Sequence, residues 1–265
     1  MRALGRRDVK RRSAELFRVP GSLPGIDLRA DQQLERARQF APYLDDFPFT
    51  AASQPQLRFR LGSGRYADGD AIALYCMLRH IRPRTYLEIG SGWSSALALD
   101  VNEQFLEDRT VLMFVESHPA EVKSLLRAED HAKVQLMRRP LSDLPSSLFD
   151  VLQSGDVLSI NSSHTSRVGS DVNQLFLDVL PRLPAGVHIQ VSEIHYPFEY
   201  PPDQARRSRS WNEAYLLRAY LTRNNSMRIT WFNSYLRQFH AAAISTALPG
   251  WAADPGSSIW LETLP

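Results

Sequence analysis

Between Thr85 and Ile194, short apolar runs alternate with amphipathic segments. The five runs are TYLEIG, VLMFVE, KVQLMR, DVLSIN and VHIQVSEI, and helix-like segments such as SSALALDVNEQFLED separate them. Runs that are apolar on both faces are typical of strands covered by helices on both sides of a parallel sheet. The alternation therefore predicts an α/β fold with a Rossmann-like, doubly wound sheet and right-handed crossovers.

The flanking segments extend this architecture. DGDAIALYCMLRHIRP, which begins at Asp68, spaces its apolar residues as a helix does and stops at Pro83. After the fifth run come WNEAYLLRAYLTRN, a strand-like MRITWF, a helix-like NSYLRQFHAAAISTAL and a last run, SSIWLETL. A terminal strand of this kind can insert antiparallel at the edge of a sheet. We therefore expect seven strands, mostly parallel, with an antiparallel last strand.

Residues 1–60 differ in character from the rest of the chain. The first 18 positions hold seven basic residues against two acids, and a Pro/Gly-rich PGSLPGIDLRAD then leads into a helix-like LERARQFAPYL. We expect residues 1–60 to form a basic arm and a helical cap, and residues 61–265 to form the main domain with a lid insertion near 196–212. The basic start is interpreted as a solvated terminus rather than a binding arm.

Composition limits the classes of function. A net charge of +2 over 265 residues is too small to argue for nucleic acid. No apolar run is long enough to span a bilayer or to serve as a secretory signal, so we expect a cytoplasmic protein without a membrane partner. Cys76 is the single cysteine, which excludes an internal disulfide and a cysteine-based zinc site.

YLEIGSGWSS follows the first predicted strand, where a doubly wound sheet approaches its ligand. Gly90 and Gly92 permit positive φ angles and leave backbone N–H groups open, and Ser94 or Ser95 can cap the next helix. A tight turn without a ligand is the alternative. A dinucleotide fingerprint would need a glycine at Ser95, and Glu88 would repel a pyrophosphate but attract an amine. The pattern favours a cationic nucleoside, and a nicotinamide oxidoreductase stays open as an alternative.

A second acid, Glu116, ends the second run, where a carboxylate can accept both hydroxyls of a ribose. With the E-x-G-x-G turn, it makes the chain from Tyr66 onward resemble class I S-adenosylmethionine-dependent methyltransferases. The resemblance implies S-adenosyl-L-methionine as the cofactor, with the Leu141–Asp143 loop near the adenine. The cofactor-binding residues that it implies are Glu88, Gly90, Ser91, Gly92, Ser94, Glu116, Ser142 and Asn161.

Five segments, the glycine turn among them, are similar to a bacterial group of small-molecule methyltransferases, catalogued as methyltransferase domain type 24. They are GDAIALYCMLRHIRP, IGSGWSS, GDVLSINSSHTSRVGSDVN, YPFEYP and RSWNEAYLLRAYL. That group usually has aspartate at the position of Asn161 and His-Asp where this chain has Ser192 and Glu193. Because a hard cation prefers several carboxylate oxygens, the resemblance implies a weakened divalent-metal site, and no metal ligand is assigned.

The loop after the fourth run holds the predicted base, His164. Methyl transfer is an in-line displacement, so the protein must align the acceptor and remove its proton, which suits a histidine. His195 is a second candidate base, and either Glu193 or Asn161 is expected to orient the acceptor. For His164 the alternative is a hydrogen bond within its own loop. Asp171 either orients the imidazole or caps the following helix.

YPFEYPPDQARRSRSW interrupts the α/β rhythm and suits a lid over the acceptor. Its aromatic residues, Tyr196, Phe198 and Tyr200, either line a pocket or are buried in the core. Its arginines, Arg206, Arg207 and Arg209, either bind an anionic acceptor or are solvated. Trp211 and Glu213 open the next helix near the same rim.

These features predict methyl transfer to an oxygen of a small metabolite, with nitrogen as the less favoured acceptor atom. A cofactor-binding protein whose acceptor chemistry has lapsed is the alternative, because Asn161 replaces the expected aspartate. A small-molecule acceptor is the expected partner, and both a monomer and a homodimer are compatible with the sequence.

Overall fold

Seven strands form one sheet in the order β3–β2–β1–β4–β5–β7–β6, in a computed structural model that describes residues 11–202, 204 and 210–265. All neighbours are parallel except those of β7, which is antiparallel to both β5 and β6. This arrangement confirms the predicted fold class. The strands are β1 Thr85–Ile89, β2 Val111–Val115, β3 Val134–Met137, β4 Val157–Ile160, β5 His188–Val191, β6 Met227–Phe232 and β7 Ile259–Thr263.

Helices connect the strands. Those described are α1 Ser13–Leu16, α2 Ala30–Phe40, α3 Asp68–Ile81, α4 Trp93–Phe105, α5 Ala120–Leu125, α6 Asp171–Asn173, α7 Glu213–Leu221 and α8 Asn233–Ala247. The α6 helix continues as the π-helical turn Gln174–Val179, and α8 is kinked at His240. Short 3₁₀ helices are Ala41–Leu44, Ala128–Ala132, Leu141–Asp143, Ser146–Val151, Leu180–Arg182 and Trp251–Ala253.

The segment LSDLPSSLFDVLQSG forms two short 3₁₀ helices rather than one amphipathic helix. Leu144 lies between them in an extended conformation, with φ −101° and ψ 144°. A residue before proline is disfavoured in the helical region, and Pro145 follows Leu144. The proline therefore divides a segment whose apolar spacing alone resembles a helix.

The order of the strands places a topological switch point between β1 and β4. From β1 the chain proceeds to β2 and β3 on one side, and then crosses to β4 and β5 on the other. Every residue of β1 and β4 is buried, so both strands form the centre of the core. In open α/β sheets, ligands bind at the carboxyl ends of the strands beside this switch point.

The last strand lies inside the sheet rather than at its edge. Leu261 of β7 is aligned with Ile189 of β5 on one side and with Ile229 of β6 on the other. Ile259, Trp260 and Leu261 are fully buried, as expected for a strand covered on both faces. As a result, β6 is the edge strand.

The N-terminal segment is fixed to the main domain by specific contacts. Gln33 of α2 accepts a 2.7 Å hydrogen bond from the backbone N–H of Phe232 in the edge strand. The buried Arg58 side chain donates 2.7 Å hydrogen bonds to Asp100 and Asp130. The boundary at residue 60 stays a prediction, and residues 1–10 of the predicted arm lie outside the described residues.

A helix that crosses a membrane has to be long and apolar. Across residues 11–202, 204 and 210–265, none of the helices meets that requirement. The single cysteine, Cys76, is buried in α3.

Candidate functional site

The turn after β1 depends on one of its two glycines. Gly90 has φ +85°, and a Cβ atom there would lie 1.9 Å from the carbonyl oxygen of Asn161. Gly92 is extended at φ −175°, a conformation open to any residue. Gly90 is therefore required both by its backbone conformation and by the close approach of the loop after β4.

Glu88 lies beneath this turn and is fully buried. Its carboxylate accepts hydrogen bonds from the hydroxyls of Ser94 and Ser95, and Ser95 also accepts one from the N–H of Gly92 at 3.0 Å. Burial raises the pKa of Glu88 to about 7, against the lowering effect of the two serine hydroxyls. The side chains of Glu88 and Ser94 thus fix the start of α4.

Glu116 occupies the end of the second strand, as the sequence predicts. One carboxylate oxygen accepts a 3.1 Å hydrogen bond from the N–H of Ser91, and the other accepts a 2.6 Å bond from the N–H of His118. The hydroxyl of Ser91 is buried and has no hydrogen-bond partner among the described residues. The turn after β1 and the end of β2 are therefore joined through one carboxylate, with an unpartnered hydroxyl beside it.

A cavity of about 320 Å³ opens at the carboxyl ends of β1, β2 and β4. This volume lies within the range of roughly 300–1,000 Å³ that is usual for small-molecule sites. Its lining residues are Ile89, Gly90, Val115, Glu116, Ser117, His118, Arg139, Pro140, Leu141, Asn161, Ser162, Ser163 and Asp171.

The cavity contains only part of the predicted cofactor set. Gly90, Glu116 and Asn161 line it, whereas the side chains of Glu88 and Ser94 contact each other beneath the turn. In the loop after β3, Leu141 lines the cavity, and exposed Ser142 donates a 3.2 Å hydrogen bond to Asp143. The roles of these residues in binding stay predictions.

Asp171 holds the loop after β4. Its carboxylate accepts a 2.8 Å hydrogen bond from the N–H of Ser163 and a 2.5 Å bond from the Ser163 hydroxyl. The helix cap is Ser170, whose hydroxyl accepts a bond from the N–H of Asn173. Asp171 also accepts a 2.9 Å bond from the N–H of Val172 in the first turn of the helix. It therefore joins the loop to the helix start, while Glu213 bonds the imidazole of His164 and Ser170 provides the cap.

His164 is buried and its partner is Glu213. The imidazole Nδ1 is hydrogen-bonded to one oxygen of Glu213, and the Ser162 hydroxyl donates a 2.6 Å bond to the other oxygen. Glu213 is fully buried at the start of α7, and the ring of Trp211 lies 4.4 Å from that of His164. These contacts form a histidine–carboxylate pair with a fixed ring orientation.

Sequence reasoning placed Glu213 near this rim but assigned it no role. The available signal was an acid in the first turn of the helix that follows the lid segment. That signal is weak, because acids are common in the first turn of any helix.

The groups at the end of β5 lie close to each other. The Nε2 atom of His195 is 3.6 Å from a carboxylate oxygen of Glu193, and the Gln204 amide donates a 3.3 Å hydrogen bond to that oxygen. His195 lowers the pKa of Glu193, burial opposes this effect, and the charge of His164 adds to the lowering. His164, after β4, therefore lies near enough to Glu193, after β5, to act on it electrostatically.

The aromatic residues of the predicted lid are buried in the core. The Tyr196 hydroxyl donates a 2.5 Å hydrogen bond to the carbonyl of Pro20, and the ring of Phe198 lies 5.4 Å from that of Phe232. Tyr200 lies beside Trp211, with 6.1 Å between ring centroids. The arginines Arg206, Arg207 and Arg209 lie outside the described residues.

Metal binding requires several ligands in one place. In the described ranges, no group of three or more His, Cys, Asp or Glu side chains comes together to hold an ion.

Comparisons with known proteins give structural similarities and one relative. No family model matches the chain. The S-adenosylhomocysteine-bound methyltransferase PaMTH1 of Podospora anserina is 14% identical, with a TM-score of 0.47, over 100% of this chain and 99% of that one. The O-methyltransferase TomG of Streptomyces achromogenes, in complex with S-adenosylmethionine, is 15% identical, with a TM-score of 0.45, over 97% and 96% of the two chains.

The relative is an uncharacterized protein of Archaeoglobus fulgidus. It is 30% identical over 178 residues, which cover 63% of this chain and 79% of the relative. The chain therefore belongs to the same protein family as this archaeal protein.

Proposed function

We propose that this protein transfers a methyl group from S-adenosylmethionine to an oxygen atom of a small metabolite. The observation that carries the proposal is the position of Glu116, which lines the cavity at the switch point and is held by the N–H groups of Ser91 and His118. A carboxylate at the end of the second strand can accept the two hydroxyls of a ribose. The unpartnered hydroxyl of Ser91 beside it fits a polar ligand.

The hydrogen bonds of the turn favour this cofactor over a nicotinamide dinucleotide. In dinucleotide-binding sheets, the N–H groups of this turn bind a pyrophosphate. Here the N–H of Ser91 donates to Glu116 and that of Gly92 donates to Ser95, so both are already in use.

The cofactor would bind along Gly90, Ser91 and Glu116, and when bound it supplies an activated methyl group on a positively charged sulfur. The residues of the chain then have to position the acceptor and remove its proton. With Nδ1 bonded to Glu213, His164 has Nε2 left to accept a proton. A hydroxyl acceptor needs such a base, which favours oxygen over an amine, and a base of this kind contributes a factor of roughly 10²–10⁴.

We also propose a narrower relationship, to the type 24 group of small-molecule methyltransferases. It is supported by five similar segments, of which GDVLSINSSHTSRVGSDVN holds His164 and RSWNEAYLLRAYL holds Glu213. Asn161, at the position where that group usually has aspartate, favours a second candidate function. This is a protein that binds the cofactor but no longer transfers the methyl group.

Isothermal titration of the full chain with S-adenosylmethionine and S-adenosylhomocysteine tests the cofactor. Both compounds should bind, and Glu116→Ala should weaken binding about 10- to 100-fold, since a hydrogen bond to a charged group contributes roughly 1.5–3 kcal/mol. Glu107→Ala, which changes an exposed acid, is the matched control and should bind as the wild type does. An absence of heat with both compounds from folded wild-type protein would refute the proposal.

Release of S-adenosylhomocysteine in the presence of a panel of phenols, catechols and hydroxy acids tests the transfer. His164→Ala should bind the cofactor normally and lower the rate about 10²- to 10⁴-fold. If the protein bound the cofactor but released no S-adenosylhomocysteine with any acceptor, the result would instead support a protein that binds the cofactor and no longer transfers the methyl group.

A further inference from the structure

Two further cavities lie side by side at the β6 edge of the sheet, between the N-terminal segment and β6. One has a volume of about 800 Å³ and its neighbour one of about 240 Å³. They share four lining residues, which are Arg29, Gln32, Arg228 and Ile229. Because β6 is antiparallel to β7 and β7 is antiparallel to β5, β6 runs in the same direction as β5. Since β5 is parallel to β4 and β4 to β1, β6 also runs in the direction of β1. Its start at Met227 therefore lies away from the carboxyl ends that form the proposed cofactor site.

The lining of these two cavities is rich in arginine. Four arginines contribute to it, namely Arg29, Arg36, Arg223 and Arg228. The nearby acids already have partners: Glu262 accepts 3.0 and 2.6 Å hydrogen bonds from Arg228, Glu35 accepts one of 2.8 Å from Arg38, and Asp27 accepts one of 3.0 Å from a backbone N–H.

The guanidinium groups of Arg29, Arg36 and Arg223 make no hydrogen bond or ion pair with any residue that the structure describes. These three cations line the groove that the two cavities form, together with two acids, Asp27 and Glu35. Glu35 is bonded to Arg38 and Asp27 to a backbone N–H, so neither carboxylate is paired with the three cations. Arg29 and Arg228 act electrostatically on Arg36, so positive charge is concentrated in this groove and attracts an anion.

Arg36 is the most constrained of these cations. It projects from α2 and is half-buried. Burial lowers the pKa of Arg36, the charge of Glu262 raises it, and the charges of Arg228 and Arg29 lower it further. The protein therefore keeps a partly desolvated guanidinium near two like charges and near one carboxylate, Glu262, which is hydrogen-bonded to Arg228.

A buried hydroxyl points to the same place. Thr230 of β6 is 7% exposed and lines the smaller cavity, and its Oγ1 has no hydrogen-bond partner among the described residues. Buried polar atoms are nearly always bonded, so an unpartnered hydroxyl next to unpaired guanidinium groups indicates a missing acceptor.

We propose that this groove binds a small phosphate monoester, with the phosphate held by Arg29 and Arg36 beside Thr230. Arginine binds phosphate oxygens in a bidentate manner, and a phosphate would also accept the hydrogen of the Thr230 hydroxyl. The larger cavity takes the organic part of the ligand. It is lined by amides, Gln32, Asn224 and Asn225, and by apolar side chains, Ile26, Leu221 and Met227, which suit a partly polar body.

Thermal unfolding of the full chain tests the site, with inorganic phosphate and glucose 6-phosphate as probes against sodium chloride at the same ionic strength. At ten times its Kd, each probe should raise the Tm of the wild type by about 3–5 °C. Glucose 6-phosphate should act at lower concentration, because it also fills the larger cavity.

Arg36→Met keeps an unbranched apolar chain in place of the aliphatic part of arginine and removes its charge. This variant should lose the response to both probes, while its Tm in chloride should equal or exceed that of the wild type, since an unpaired charge has been removed. A purely structural arginine would instead lower the Tm in chloride when replaced. Arg29→Met provides a second variant with the same expectation, and Arg237→Met, which changes an exposed arginine of α8, should keep the wild-type response.

Equal responses to phosphate and chloride in the wild type would overturn the proposal, as would an unchanged response in both Arg36→Met and Arg29→Met. Sedimentation with phosphatidylglycerol vesicles, without any response to the soluble probes, would also overturn it in favour of a lipid headgroup. Cofactor titration is a separate measurement, so failure of this site leaves the proposed methyl transfer unaffected.

Discussion

The two sides of the crevice at the switch point are built in different ways. On the cofactor side, the turn after β1 and the end of β2 meet through backbone groups: the N–H of Ser91 donates to Glu116, and Gly90 lies against the carbonyl of Asn161. On the acceptor side, the N–H of Asn212 donates a 2.9 Å hydrogen bond to the carbonyl of His164, but the polar side chains are joined to one another directly. Ser162 and His164 are joined to Glu213, which lies 51 and 49 residues further along the chain.

Because of this difference, the two sides should respond differently to amino-acid substitutions. Backbone geometry leaves no room for an added atom, so the cofactor side should lose stability when its turn is changed. Side-chain networks can be altered without moving the backbone, so the acceptor side should lose chemistry while its fold persists. Three changes test this contrast.

Gly90→Ala should produce the largest effect. The new Cβ would lie 1.9 Å from the carbonyl oxygen of Asn161, so two loops would have to move. We expect the free energy of unfolding in urea to fall by at least about 4 kcal/mol. Gly250→Ala is the matched control, since its φ of +87° is similar but nothing lies within 4 Å. It should lose only the roughly 1–2 kcal/mol that the left-handed backbone costs, and equal losses in the two variants would contradict this account.

Glu88→Gln should change how stability depends on pH. Burial raises the pKa of Glu88 from 4.5 to about 7 in the folded protein, so the folded state holds a proton that the unfolded state has released between these values. The wild type should therefore lose about 3 kcal/mol as the pH rises from about 4.5 to about 7, and the loss should be complete above that range.

The glutamine variant lacks this titration. Urea unfolding at several pH values should show the wild-type free energy of unfolding, relative to the variant, falling across this window. Parallel curves for the two proteins would mean that Glu88 does not titrate there.

Glu213→Gln should have the smallest effect on stability and a selective effect on catalysis. The amide is similar in shape, but it removes the charge beside His164. We expect kcat to fall about 10- to 100-fold, which corresponds to roughly 1.4–2.7 kcal/mol of lost transition-state stabilisation, with the KM for the cofactor unchanged. Glu213→Asp should recover part of the rate. If Glu213→Gln lowered cofactor affinity rather than kcat, Glu213 would act on the cofactor side, which would contradict its assignment to the acceptor side.

The sheet and the cofactor turn were predictable because their signals are local. Few folds other than a parallel sheet covered by helices can bury apolar runs that alternate with amphipathic segments. Gly90 and Glu116 directly follow their strands, so their place at the carboxyl ends can be predicted from the sequence. The position of β7 was less predictable. An edge position and an interior position agree equally with IWLETL, and packing against both β5 and β6 decided between them.

Other features depend on residues that are distant in the sequence. The direction of the Glu88 carboxylate, the pairing of His164 with Glu213 rather than Asp171, and the arginine-lined groove beside β6 arise only when separate segments pack together. Taken alone, the sequence determined the alternation of strands and helices and the place of a glycine turn, because backbone sterics and hydrophobic periodicity act over a few residues. The tertiary structure decided which charges face which partners, because burial and distance between side chains exist only in the folded chain.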